Sequence, residues 1–68
     1  MEKLHPKAED LLEIIQGESF GLSQRELSRK SNYSRPTVRK YTEELLRDGR
    51  IRKIEKGNMA LYVTSQGE

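Results

Sequence analysis

Sixty-eight residues, 32% hydrophobic and 35% charged, suffice for one small domain and leave no room for a second unit holding a catalytic cleft. With no cysteine and a single histidine, a disulfide framework, a thiolate metal site and imidazole clusters are all excluded, and no cofactor or metal is expected. The net charge of +2 conceals a division: residues 1–28 carry three basic against six acidic side chains, residues 29–56 ten against four, which suits a polyanionic partner for the second half.

The opening Met1–Pro6 lacks the basic-then-apolar layout of a secretion signal, and no apolar run is long enough to span a membrane, so a cytoplasmic protein is expected. Pro6 suits the first turn of a helix. Behind it Ala8, Leu11, Leu12 and Ile15 recur at helical spacing opposite Glu9, Asp10 and Glu13, which predicts a first helix over 6–16. Gly17 is expected to end it with a positive φ. Phe20 is expected to fold back onto the core, and Leu22 to add one short stretch of strand.

Ser23-Gln24-Arg25-Glu26 has the form of a capping box, and a second helix runs from it to about Lys30 with Leu27 buried. Ser31-Asn32-Tyr33 is a tight break in which Asn32 can take a left-handed conformation. Ser34 is the next N-cap, with Pro36 in the first turn. Val38, Tyr41 or Thr42, Leu45 and Leu46 then form an apolar stripe, predicting a third helix over 35–48 stopped at Gly49. Glu43 and Arg47, four apart, read as a surface pair.

After Gly49 the period changes to two short runs, Ile51–Ile54 and Met59–Val63, separated by Lys56-Gly57-Asn58, which reads as a β-hairpin. Thr64–Glu68 carries no apolar residue and is expected to fray. The domain is thus placed at 1–64, with 65–68 as tail. Met59, Leu61 and Val63 read as core or hairpin packing.

Two helices joined by a three-residue turn, the second basic in its N-terminal half, form the arrangement that reads a DNA major groove. The third helix must bury one stripe and leave the opposite face free. Val38, Leu45 and Leu46 serve the first need, and Arg35, Thr37, Arg39 and Lys40 the second. Arginine can bond guanine O6 and N7 in a bidentate manner, and threonine and Pro36 offer apolar contact to a thymine methyl. The Ser34 hydroxyl and the helix N-terminus can hold a phosphate. In the hairpin, Arg52 and Lys53 point to opposite faces. Arg52 and Lys56 complete the expected DNA-binding set of Ser34, Arg35, Pro36, Thr37, Arg39, Lys40, Arg52 and Lys56.

The stretch Leu22–Ile54 resembles the DNA-binding domain of GntR-type winged-helix regulators. The match rests on Ser34, Arg35, Thr37, Val38 and Arg39, the leucine pair Leu45-Leu46, and Gly49 before the wing. The resemblance implies base-edge and phosphate contacts for Arg35, Thr37 and Arg39. Ser28 and Asn32 stand where that family commonly has a small residue and a glycine, and the wing tip is poorer in glycine and arginine. These 68 residues hold no counterpart of its effector-binding domain, and the resemblance is not expected to extend to control by a small molecule.

Blander readings stand beside these. Arg39 and Lys40 taken alone are an ordinary solvated pair. Tyr33 and Tyr41 read as packing residues rather than stacking platforms, and His5 as a helix-start residue rather than a ligand. Glu43 and Glu44 point about 100° apart and cannot share a catalytic site. No carboxylate cluster, glycine-rich phosphate loop or nucleophile–base pair marks an enzyme. A winged helix used as a protein-interaction or assembly module is the alternative, and a basic third helix argues against it.

The expected fold is therefore α+β, a winged helix-turn-helix of three helices and a C-terminal β-hairpin around Leu11, Leu12, Ile15, Leu22, Leu27, Val38, Leu45, Leu46 and Ile51. The expected function is sequence-specific binding of double-stranded DNA in transcription regulation. Specificity would call for a homodimer or a partner protein, with Leu4 and Ile14 as the expected dimer surface.

Overall fold

The computed structural model describes residues 4–18 and 20–65. Three helices, α1 (Pro6–Gln16), α2 (Gln24–Ser31) and α3 (Arg35–Arg47), precede an antiparallel hairpin of β1 (Ile51–Lys56) and β2 (Met59–Thr64). Among the described residues, no helix is long and apolar enough to cross a membrane.

Each helix starts at a side-chain cap. His5 Nδ1 accepts from the Lys7 N–H at 3.1 Å, with Pro6 in the first turn where its missing donor costs nothing. Ser23 and Glu26 form the expected reciprocal capping box, with bonds of 3.2 and 3.3 Å. Ser34 Oγ accepts from the Thr37 N–H at 3.4 Å. The break between α2 and α3 is closed by serines. Asn32 takes φ +66°, and its N–H donates to Ser28 O. The Ser28 hydroxyl donates to Tyr33 O at 2.7 Å, and the Tyr33 N–H donates to Ser31 Oγ at 3.2 Å. The backbone groups of this turn are thus satisfied locally, as a tight connection requires.

Ala8, Leu11 and Ile15 of α1, Leu27 of α2, and Val38, Tyr41 and Leu45 of α3 close one core with Leu22, Ile51 and Tyr62. Thr42 is fully buried as well, and its hydroxyl donates back to Val38 O at 2.8 Å. Leu12 and Leu46, expected inside, flank this cluster half-buried. Tyr41 and Tyr62 take the deeper places, because an aromatic ring covers more of the gap between helix and hairpin than an aliphatic side chain does.

The hairpin register pairs Ile51 with Thr64 and Lys56 with Met59, around the two-residue loop Gly57-Asn58. Gly57 at φ +58° occupies the first loop position, where primed hairpin turns favour glycine. Leu22 adds the expected bridge to Tyr62, on the side of β2 away from β1. Thr64 belongs to β2, and Ser65 donates its N–H to Arg50 O and its hydroxyl to Gly49 O. Fraying is therefore not seen at these two positions, and residues 66–68 lie outside the described ones.

Several expectations fail locally. Gly17 has φ −79°, so α1 ends without a left-handed residue; its N–H is already taken by Glu13 O and Ile14 O. Phe20 does not fold back and is 87% exposed. The residue after it, Gly21 (φ +92°), is the one that packs on β2, so closely that a Cβ there would lie 2.9 Å from Val63 Cγ1. Met59, expected to pack, is 56% exposed; it sits beside the hairpin tip and lines an open hollow with Arg25, Glu26 and Arg29 of α2. Leu4 and Ile14, the expected dimer surface, are half-buried, packed in part against the core and in part exposed.

Candidate nucleic-acid interface

At about 100° per residue, the two faces of α3 separate cleanly. Val38, Tyr41, Thr42 and Leu45 are buried, whereas Arg35, Pro36, Arg39, Lys40, Glu43 and Arg47 are exposed. Taking Arg35 as origin, Arg39 lies about 40° round, Glu43 about 80°, Pro36 about 100°, Arg47 about 120° and Lys40 about 140°. One solvent-facing stripe thus carries Arg35, Pro36, Arg39 and Lys40 of the expected set. Thr37 lies off it, half-buried.

At the head of α3 the Ser34 hydroxyl donates to Thr37 Oγ1 at 2.9 Å while also capping the helix. Pro36 has no N–H, and the N–H groups of Thr37 and Val38 go to Ser34 Oγ and Ser34 O, so what this end offers an anion is the Arg35 N–H and the Thr37 hydroxyl. Lys40 extends over the Tyr41 ring, its Nζ 5.3 Å from the centroid, which restrains its alkyl stem. Tyr41 also stacks on His5 at 4.7 Å.

A shallow hollow of about 510 Å³ opens on this stripe, lined by Gln24, Arg35, Pro36, Arg39, Lys40 and Glu43. Gln24, the first residue of α2, donates from Nε2 to the Tyr62 hydroxyl at 3.1 Å and so ties α2 to β2. Sequence reasoning passed over Gln24 and Glu43. Gln24 carries no signal of its own, because its place beside α3 is set by tertiary packing. Glu43 had one: it stands four residues from Arg39 and eight from Arg35, on their stripe. It pairs with Arg39, Nε to Oε2 3.8 Å, rather than with Arg47 as expected. Both partners lie within reach of a helical carboxylate, and such pairs differ by only tenths of a kcal/mol.

The hairpin residues fall on two faces. Arg52, Ile54 and Lys56 share one, and Lys53 and Glu55 share the other with buried Ile51. Arg52 and Lys56 are thus on the same side of the wing, and both are exposed. Tyr33 is half-buried between helices: its hydroxyl donates to an Asp10 carboxylate oxygen, and Lys7 Nζ sits 5.6 Å above its ring. That hydrogen bond, with a smaller effect of burial, raises the Tyr33 phenol above its ordinary pKa.

A helix-turn-helix with capped helices, a basic exposed stripe on the second helix of the motif and a hairpin beside it defines a nucleic-acid-binding winged helix. A family model described as winged helix-turn-helix DNA-binding matches residues 4–52, and the chain belongs to that family. Among solved structures it is similar to reduced HlyU from Vibrio cholerae N16961, with a TM-score of 0.79 at 21% identity. The match covers 91% of this chain and 63% of that one, so this chain spans less than two thirds of the neighbour's length. No curated protein sequence matches the chain significantly.

Proposed function

We propose that the chain binds double-stranded DNA sequence-specifically, with α3 in the major groove and the hairpin against the adjoining backbone, and that it acts in cytoplasmic transcription regulation. The observation that carries this reading is the exposed stripe of Arg35, Arg39 and Lys40 opposite the buried face of α3. Each of these side chains is exposed and outside the core, so that truncating it should leave the fold intact.

Ser34, Thr37 and the N-terminus of α3 are assigned to phosphate, and Pro36 to apolar contact in the groove. Arg52 and Lys56 are assigned to flanking phosphates or the minor groove, through the face of the wing they share. The GntR-type resemblance of Ser34–Arg39 supports base contacts by Arg35 and Arg39. One recognition helix covers one half-site, so useful specificity calls for a second copy or a partner protein.

Selection of a site from a random duplex pool, followed by Arg35→Ala and Arg39→Ala, tests the assignment. Each variant should bind the selected site about tenfold or more weakly, in line with the value of one bidentate arginine–guanine contact. Far-UV circular dichroism should be unchanged. Parent-like affinity in both variants would refute the placement of α3.

A further inference from the structure

A carboxylate on a surface built to meet a polyanion weakens attraction to every sequence alike. Glu43 stands within the exposed stripe of α3, about 80° round from Arg35 and about 40° from Arg39. Its pairing with Arg39 does little for the fold: the side chains are 58% and 72% exposed, and such pairs contribute little in water. Neither affinity for DNA nor stability accounts for its position.

The atoms that meet suggest a different role. The contact of Glu43 Oε2 with Arg39 is at Nε, 3.8 Å, an ion-pair separation rather than a hydrogen bond, and it lies on the side of the guanidinium away from its two terminal nitrogens. Those two nitrogens are a matched pair of donors, suited to the O6 and N7 of one guanine. An arginine without such a tether swings readily onto a phosphate, which carries no sequence information. Within a groove that excludes water, the ion pair strengthens because the effective dielectric constant falls.

We propose that Glu43 is a positioning and specificity-determining residue: its charge beside Nε draws Arg39 into an orientation in which the terminal nitrogens meet a guanine end-on, and it discourages the same arginine from settling on phosphate. The proposal rests on the DNA-binding reading above and adds to it a residue that lowers general affinity in exchange for selectivity.

The test uses the parent, Glu43→Ala, Arg39→Ala and the double variant, each measured by fluorescence anisotropy. The probes are the duplex selected by the parent, the same duplex with each G·C pair replaced in turn, and a random-sequence duplex. Glu43→Ala should lose about tenfold of the preference at one G·C pair, the one that Arg39→Ala also loses. It should bind the random duplex as tightly as the parent or more tightly. With Arg39 already removed, Glu43→Ala should change the preference at that pair no further.

Equal preference in the parent and Glu43→Ala, or losses that simply add in the double variant, would overturn the proposal while leaving DNA binding standing. Uniform weakening at every position would also overturn it, because that is the mark of a merely structural residue. A parent that holds no duplex at all would overturn both readings together.

Discussion

Leu22 and Tyr62 exchange both backbone hydrogen bonds, Leu22 N–H to Tyr62 O at 3.1 Å and Tyr62 N–H to Leu22 O at 2.8 Å. Both side chains are buried, and the Tyr62 hydroxyl accepts from Gln24. This bridge fastens the hairpin to the start of α2, one residue before the capping serine. The wing and the helix-turn-helix are thereby held as one body, which gives Arg52 and Lys56 a defined place relative to α3.

The bridge depends on Gly21. Its φ of +92° is one that side chains rarely adopt, and a Cβ would meet Val63 Cγ1 at 2.9 Å and Tyr62 O at 3.2 Å. Gly49 has φ +73° but open space around it. Gly49→Ala should therefore cost only the conformational strain, about 1–2 kcal/mol. Gly21→Ala should cost more, because steric strain adds about 1 kcal/mol or more. Thermal melting checks the order; equal shifts would mean that β2 yields easily.

Ser23 and Ser34 cap successive helices by the same bond, yet only Ser34 opens the exposed stripe. Ser23→Ala and Ser34→Ala should each lower stability by about 1 kcal/mol. Only Ser34→Ala should also weaken duplex binding at a temperature where both variants are folded. Equal binding losses in the two would trace the effect to helix fraying instead of phosphate contact.

Tyr33 links the helix-turn-helix break to α1 through Asp10. Because its folded-state pKa is raised above 10.0, this bond stabilises the fold in full below about pH 10. The contribution is lost as pH rises through the higher folded value. In an ultraviolet titration Tyr33→Phe should remove a phenol transition that lies above the ordinary range. Loss of a transition within the ordinary range instead would contradict the Asp10 contact.

Much of the fold was legible because the local signals agreed with one another. Capping serines at 23 and 34, the left-handed Asn32 and the change of period after Gly49 each place an element boundary without tertiary information. The core was less legible. Reading Met59, Leu61 and Val63 as the packed positions puts Tyr62 on the opposite face of the strand, yet Tyr62 is the buried residue of β2 and Leu61 and Val63 are half-buried. Phe20 misleads for the converse reason: a large apolar residue in a loop suggests burial, but it is the neighbouring Gly21 that packs against β2. The stripe of α3 was readable from helical spacing, whereas the partner of Glu43 was not, since residues four before and four after it are both arginine.

Fluorescence anisotropy of the parent chain with random-sequence duplex, across roughly 50–200 mM salt, tests DNA binding most directly. Affinity should fall by on the order of a hundredfold over that range if four phosphates are neutralised. No binding at the lowest salt, or binding that salt leaves unchanged, would contradict a phosphate-contacting surface on α3 and the wing.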